Sequence, residues 1–389
     1  MDRFQYSDSL IRLPDQFFAK LVNKIKPYYE AGYDMINLGQ GNPDQPTPDH
    51  IIRSLQEAAA NPTYHKYPPF RGFPYLKKAI ADYYKREYDV DLDPEKEVSV
   101  LFGAKTGLVE VSHCFLNEGD WALVPDPGYP DYESGIAFSG AKSHKMPLDR
   151  ENDYLPDYDQ IPDDILSQAK LMFLNYPNNP TAATATPQFF EETIQLAEKN
   201  NFCVVHDFAY GTIGFDGKKP ISFLQIEGAK DVGIEVYTLS KTFNMAGWRI
   251  GFALGNEKVI EALNLLQDHN YCSIFGGIQE AAATALNGPQ DCVSDLLKLY
   301  EERRNAFISG LRAHGWEVDA PKGSFFAWIP VPDGYTSESF TELLMEKAHV
   351  IVAPGNGFGE NGEGYVRVGL LCDKERLIEA VDRITQLKF

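Results

Sequence analysis

The chain has 389 residues, 43% hydrophobic and 24% charged, enough for two domains and a large apolar core. Its 36 basic and 56 acidic residues leave a net charge of −20, which excludes nucleic acid and anionic membrane surfaces as expected partners because both repel it at long range. No apolar run approaches the ~20 residues that cross a bilayer. The start Met1 to Gln5 lacks the basic and apolar blocks of a secretory signal, so a cytoplasmic setting is expected. Cys114, Cys203, Cys272, Cys292 and Cys372 show no paired spacing, which argues against a disulfide framework and against a zinc site.

In chain order, Ser7 to Leu38 is helical in pattern. Short apolar, β-branched runs follow at Val98 to Phe102, Ala122 to Pro125, Leu171 to Asn175, Cys203 to His206, Glu235 to Leu239 and Ile250 to Leu254. Helical patterns fall among them near Thr106 to Leu116, Pro187 to Asn200 and Glu257 to Asp268. Such alternation predicts a largely parallel sheet with helices on both faces and a ligand at the carboxyl ends of its strands. After Asn287 the texture changes: helices at Asp291 to Ala313, Ser337 to Ala348 and Asp373 to Leu387 interleave with strands at Phe325 to Pro330, Val350 to Ala353 and Tyr365 to Leu370. A large domain over 46–287 and a discontinuous small α+β domain from 1–45 and 288–389 are therefore expected.

Chemistry-bearing residues recur at strand ends. Gly103-Ala104-Lys105-Thr106 joins a strand to a helix, where converging backbone N–H groups and the helix dipole suit a phosphate. The turn Asn175-Tyr176-Pro177-Asn178-Asn179-Pro180-Thr181 is rigid by composition and can hold Asn179 in a fixed place. Asp207 ends a buried strand, where a carboxylate is costly unless it meets a cation such as a protonated ring nitrogen, and Tyr210 follows it. Lys241 sits in Tyr237-Thr238-Leu239-Ser240-Lys241-Thr242, with Arg249 just beyond. Partial burial and a nearby cation would lower its pKa toward the value that Schiff-base chemistry with pyridoxal phosphate requires. Arg367 lies inside an apolar strand and suits a substrate carboxylate, while Tyr129 can stack on a cofactor ring. Each fragment alone also has a plain reading: a polar turn, a helix-capping aspartate, a structural ion pair, a core aromatic.

Together and in this order, the motifs resemble the class I/II aminotransferases, the fold type I pyridoxal phosphate enzymes. The resemblance runs from Asn37-Leu38-Gly39-Gln40-Gly41-Asn42-Pro43-Asp44 to Arg367. It implies an α/β large domain on a mostly parallel seven-stranded sheet, with a smaller α+β domain. It implies that Lys241 is the covalent anchor and proton shuttle, that Asp207 holds the ring nitrogen, and that Asn179 and Tyr210 bind the ring oxygen. By the same resemblance Tyr129 stacks on the ring, and Ala104, Lys105, Thr238, Ser240 and Arg249 surround the phosphate. Arg367 would clamp the α-carboxylate beside Gly41 and Asn179. Tyr67 would enter a neighbouring subunit's phosphate site, which implies a homodimer with shared sites.

One departure is Ala182, where the family usually has glycine after Asn-Pro-Thr. Within the family, Asn37 to Pro48, Val124 to Tyr132 and Val204 to Phe215 are most similar to the methionine aminotransferases of bacterial methionine salvage. That similarity implies ping-pong exchange between methionine or 4-methylthio-2-oxobutanoate and a neutral donor such as glutamine. Phe17, Phe18, Tyr64 and Phe275 are the candidate apolar lining. The Gly-Ala-Lys run is similar also to LL-diaminopimelate aminotransferases, and the same scaffold would serve an aspartate or aromatic aminotransferase or a carbon–sulfur β-lyase. Aspartate is the less favoured, because dicarboxylate-specific members carry a second arginine just before the segment matching Tyr271-Cys272-Ser273. No arginine occurs here between Arg249 and Arg303.

Overall fold

In the computed structural model, which describes residues 4–387, one sheet of seven strands forms the centre of the molecule. Residues 1–3 and 388–389, at the ends of the expected small domain and at the start read for a secretory signal, lie outside the described residues. The strands are β1 (Val98–Leu101), β2 (Trp121–Asp126), β3 (Lys142–Pro147), β4 (Ala169–Asn175), β5 (Cys203–Asp207), β6 (Gly233–Thr238) and β7 (Gly251–Gly255). Their spatial order is β1-β7-β6-β5-β4-β2-β3, and β7 alone runs against the others, antiparallel to both β1 and β6.

The period of two along the inner strands explains why the sheet is covered on both faces. Leu171 and Phe173 of β4 enter one apolar cluster with Val205, Ile234 and Val236. Met172 and Leu174 enter the opposite cluster with Val204, Tyr237 and Phe252. Each such side chain contributes about 1.5–3 kcal/mol on leaving water, so neither face tolerates a one-residue slip in register. The parallel strands share one direction, which brings Leu101, Asp126, Asn175, Asp207 and Thr238, the last residues of β1, β2, β4, β5 and β6, to one edge.

A second unit is built on β8 (Phe326–Pro330), β9 (Ala353–Pro354) and β10 (Tyr365–Gly369), antiparallel in the order β9-β10-β8. Ile36–Asn37 pairs in parallel with Val350–Ile351, and Ile36 and Leu38 join a core with Phe307, Val366, Val368 and Leu377. This unit therefore draws on both ends of the sequence.

Several elements differ from their sequence patterns. Ser7 to Leu38 is not one helix but two, Asp8–Ile11 and Phe17–Glu30, followed by the strand at Ile36. Pro14 lies in the first break, and Gly32, at φ 81°, reverses the chain after the second helix. Val350 to Ala353 divides between two separate ladders, and the helix from Ser337 loosens into a π-type turn over Leu344–Ala348. The apolar runs do not mark β3, whose Lys142-Ser143-His144-Lys145 stretch lies at the sheet edge, where exposed charge blocks pairing with another chain. Nor do the sequence patterns mark the helices Asp49–Ala59, Pro74–Tyr88 and Gly276–Asn287.

The segment from Leu38 to Asp49 bridges the two units, and one partly buried ion pair fixes it. Arg303, 1% exposed on the helix Asp291–Ala313, donates to both carboxylate oxygens of Asp44 at 2.8 and 2.7 Å and to the Leu370 carbonyl at 3.3 Å. Thr47 Oγ1 donates to the Asn244 carbonyl at 2.7 Å, fastening the other end. Asp44→Ala leaves the buried Arg303 only the exposed Asp373, at 3.9 Å, as an acid, so it should cost about 2 kcal/mol in urea unfolding. A loss below about 1 kcal/mol would show that the pair does not fix the segment.

Candidate active site

The carboxyl edge of the sheet opens into a cavity of about 320 Å³ whose wall is completed by Phe326 of β8 and Arg367 of β10. Gly103 begins the helix Ala104–Phe115 at φ 84°. A Cβ there would collide with the Arg249 guanidinium, so glycine is what lets Arg249 lie against the start of this helix. Arg249 is itself in the left-handed region, at φ 54°, and is held by donation from Nη1 to the Ala246 carbonyl at 2.7 Å. Thr238 caps the turn Leu239–Thr242 by accepting from Ser240 N at 3.2 Å, and its hydroxyl donates to Ser240 Oγ at 2.9 Å. First-turn N–H groups of Ala104 and Lys105, two hydroxyls and one guanidinium thus share one end of the cavity, a setting that suits a phosphate dianion. The Lys105 ammonium turns aside to Asp131 at 2.8 Å.

Lys241 lies three residues beyond β6, on the short helical turn rather than on the strand. Its Nζ donates to the Gly41 carbonyl at 2.8 Å and sits 5.4 Å from the centre of the Phe325 ring. Burial first, and then the nearby charges of Arg367 and Arg249, push its pKa down to about 8, with Asp207 opposing.

Asp207, 5% exposed, accepts from the Tyr132 hydroxyl at 2.9 Å and from Ala209 N at 3.3 Å. Among the described residues it forms no ion pair, and burial raises its pKa to about 6. A buried carboxylate that meets only neutral donors is complementary to a protonated ring nitrogen.

Arg367 is the opposite case. It is 1% exposed, lies among the rings of Phe326, Phe358 and Phe18 at 4.1, 4.7 and 5.3 Å, and meets no carboxylate among the described residues. Nη1 donates to Asn179 Oδ1 and Nη2 to the Gly39 carbonyl, both at 2.9 Å, while Nε has no partner. Burial lowers its pKa to about 10. A desolvated guanidinium with an idle N–H is a binding site for a planar anion.

Asn179 lines the same cavity from the turn after β4, and its oxygen is committed to Arg367, which leaves its amide NH2 as the donor for a ligand. The turn is tied internally: Asn178 Oδ1 accepts from Thr181 N at 3.0 Å and from Thr181 Oγ1 at 2.9 Å, and Asn175 Oδ1 accepts from Asn179 N at 2.7 Å. Ala182 closes it in the left-handed region at φ 61°, which explains the usual glycine and costs alanine about 1 kcal/mol. Buried to 1%, it holds this conformation through donation to the Asn178 carbonyl at 3.0 Å and acceptance from Gly323 N at 3.1 Å.

Gly41, Ala104, Lys105, Tyr129, Asn179, Asp207, Tyr210, Thr238, Ser240, Lys241, Arg249 and Arg367 all line this one cavity. Tyr67 does not: it is 89% exposed at the surface. Of the proposed apolar lining, Phe18 is in the wall and Phe17 packs behind it against Phe358. Tyr64 and Phe275 lie outside this wall, with the Tyr64 hydroxyl donating to Glu280 at 2.7 Å. Sequence reasoning missed Asn175, Phe326 and Tyr132. Of these, only Asn175 carried a signal, as the first residue of the asparagine-rich turn.

The chain is similar to known proteins along nearly its whole length. The profile of the family "Aminotransferase class I and II" matches residues 33–384. The chain is 62% identical over 385 residues to the L-glutamine–4-(methylsulfanyl)-2-oxobutanoate aminotransferase of Bacillus subtilis, covering 99% of this chain and 97% of that one. It is 46% identical to the LL-diaminopimelate aminotransferase of Moorella thermoacetica, with 96% of each covered. The substrate-bound structure of BacF from Bacillus subtilis superposes with a TM-score of 0.95 at 48% identity, covering 98% of both chains.

Two outcomes follow from the charges. In the cofactor-free protein, labelling of Lys241 by an amine-selective reagent, read on its peptide by mass spectrometry, should rise with pH through a midpoint of about 8. A midpoint near the usual lysine value of about 10.4 would contradict the buried setting. Asp207→Asn should stabilise the same protein by about 1–3 kcal/mol above pH 6, since it removes a buried charge. The folded pKa of about 6 exceeds the ordinary 3.8, so the folded state binds the proton more tightly. The variant's advantage should therefore fade as pH falls from 6 toward 4 in thermal unfolding.

Proposed function

The chain belongs to the class I and II aminotransferases, and from that premise we propose that it transfers the amino group of glutamine to 4-(methylsulfanyl)-2-oxobutanoate, forming methionine. The observation that carries the substrate is the wall beside Arg367, which Phe18 and Phe326 make aromatic; among the described residues the cavity's other cations are Lys105, Lys241 and Arg249, all of them at the cofactor end in this reading. A thioether chain packs favourably on aromatic rings, whereas a second carboxylate would be buried there without a partner. The 62% identity to the glutamine-dependent relative supports the same reading.

Members of this family use pyridoxal phosphate, and the residues of the cavity fit it. The unpaired Asp207 carboxylate suits its ring nitrogen, and Tyr132 and Ala209 N hold that carboxylate in place. Ala104 and Lys105 N–H, Thr238, Ser240 and Arg249 would hold the phosphate, Asn179 and Tyr210 the ring oxygen, and Tyr129 the ring face. When bound, the cofactor supplies an aldehyde that carries the amino group and a ring that accepts the electron pair left on the substrate α-carbon. Lys241 anchors it. Released from that bond, the buried Lys241 amine, whose pKa burial lowers, would be placed to take the α-proton and return it. Arg367 grips the α-carboxylate with Gly41 and Asn179 beside it, which orients the α-hydrogen toward Lys241.

The reading extends to assembly and setting. It takes a homodimer in which the exposed Tyr67 of one protomer completes the other's phosphate site, with residues 46–287 as large domain and 1–45 with 288–389 as small domain, in the cytoplasm. The exposure of Tyr67 together with Phe70 and Leu265 supports a covered surface there.

The test is the half-reaction. Cofactor-loaded protein mixed with single amino acids should lose its visible absorbance rapidly with methionine and glutamine, and at least about ten-fold more slowly with aspartate and diaminopimelate. Lys241→Ala should abolish the exchange. Fastest conversion by diaminopimelate would move the substrate to that of the 46% relative. Pyruvate released from cysteine-type substrates without an acceptor would favour a carbon–sulfur lyase.

A further inference from the structure

His206 and Glu235 are both fully buried, yet neither touches the cavity. The register of the sheet pairs His206 of β5 with Glu235 of β6, on the face opposite the Asp207 side chain. Glu235 receives four donors: His206 Nδ1 at 2.8 Å, Tyr84 Oη and Ser222 Oγ at 2.7 Å each, and Phe223 N at 2.8 Å. Its oxygens are thus filled by donors, the arrangement of a carboxylate held in one orientation. The second nitrogen of His206, Nε2, accepts from the backbone N–H of Tyr176 at 3.3 Å. A backbone N–H can only donate, so Nε2 carries the lone pair and Nδ1 the proton that goes to Glu235. Phe190, Phe208 and Phe223 pack around the ring, leaving it these two polar partners.

Tyr176 N–H is the first amide of the turn that carries Asn179. The turn is tied within itself and is fastened to the end of β5 by two bonds, His206 Nε2 to Tyr176 N and Asn175 Nδ2 donating to the Asp207 carbonyl at 2.8 Å; Tyr176 Oη donating to the Tyr154 carbonyl at 2.8 Å and Gly323 N donating to the Ala182 carbonyl at 3.1 Å hold its outer side. We propose that Glu235 and His206 are a positioning pair, which sets the turn and so aims Asn179 both at the ring oxygen of the cofactor and at the Arg367 guanidinium. The proposal rests on the role of Asn179 given above. A buried polar pair of this kind has no need to exist for packing alone, since two apolar side chains would fill the space without desolvating a carboxylate.

The test compares two substitutions that separate the two nitrogens. In His206→Asn the amide can still donate to Glu235, but nothing reaches Tyr176 N. In His206→Gln the longer amide can again accept from Tyr176 N. Three quantities are read on cofactor-loaded protein: the KM for methionine, kcat, and the pH midpoint of the visible absorption change, which reports hydrogen bonding to the ring oxygen. His206→Asn should raise KM about ten-fold with kcat nearly unchanged and should move the midpoint upward, the loss of one buried hydrogen bond being worth about that factor. His206→Gln should recover most of both. Tyr84→Phe, which removes one donor from Glu235 with little change of volume, should shift both readouts in the same direction by about two-fold in KM. A lowered melting temperature with KM and midpoint unmoved would overturn the proposal, as would His206→Asn and His206→Gln behaving alike. Asn179→Ala is the control for the reading beneath: if it leaves the midpoint unmoved, Asn179 does not bind the ring oxygen and the proposal falls with that role.

Discussion

Two buried charges of opposite sign, Asp207 and Arg367, have no ionic partners among the described residues, and the arrangement of the site follows from them. Each is expensive alone. Burial raises the pKa of Asp207 and lowers that of Arg367, which is the free-energy cost of holding charge away from water. A ligand that brings a cationic ring nitrogen to one and a carboxylate to the other removes both penalties together, so part of the binding energy is stored in the fold itself. Lys241 lines the same cavity, and its pKa is lowered first by burial and then by Arg367, with Asp207 opposing. In the proposed reaction, reactivity of the amine and recognition of the carboxylate would therefore be coupled through one electrostatic field.

The architecture exists to hold those charges apart. Asp207 is fixed by the parallel sheet, whose strands cannot shift without exposing a buried face. Arg367 stands on a separate antiparallel sheet with its own core. The two meet through Asn179 on a turn that spends strain at Ala182 to keep its shape, and through the segment 38–49 pinned by Arg303. Because the second unit is formed from both chain ends, motion of one unit on the other would change the distance between the charges while leaving each core intact.

Most of this was legible from residue types in unfavourable places. An aspartate ending an apolar strand, an arginine inside one and a lysine among hydroxyls are costly unless they meet a ligand, and cost is visible in sequence. The central strands were legible for the related reason that burial on both faces demands apolar runs. What escaped notice was whatever depends on neighbours distant in sequence. Tyr132 donates to a carboxylate 75 residues away, and Phe326 takes its place beside Arg367 only through the pairing of β8 with β10. The edge strand β3 is polar because one side of it is solvent, and the helix Gly276–Asn287 opens with two glycines and is rich in alanine, which blurs its period. His206 reads as one more residue of an apolar strand, and its partner lies on the adjacent strand.

The account is tested most directly by a crystal structure of the protein with pyridoxal phosphate and an unreactive methionine analogue. The ring nitrogen should lie against Asp207, the phosphate at the start of the helix Ala104–Phe115 beside Arg249, and the α-carboxylate in a fork on Arg367, with the thioether against Phe18 and Phe326. A carboxylate bound at Arg249, or Arg367 still without an anionic partner in the complex, would contradict the claim that the two buried charges define the site.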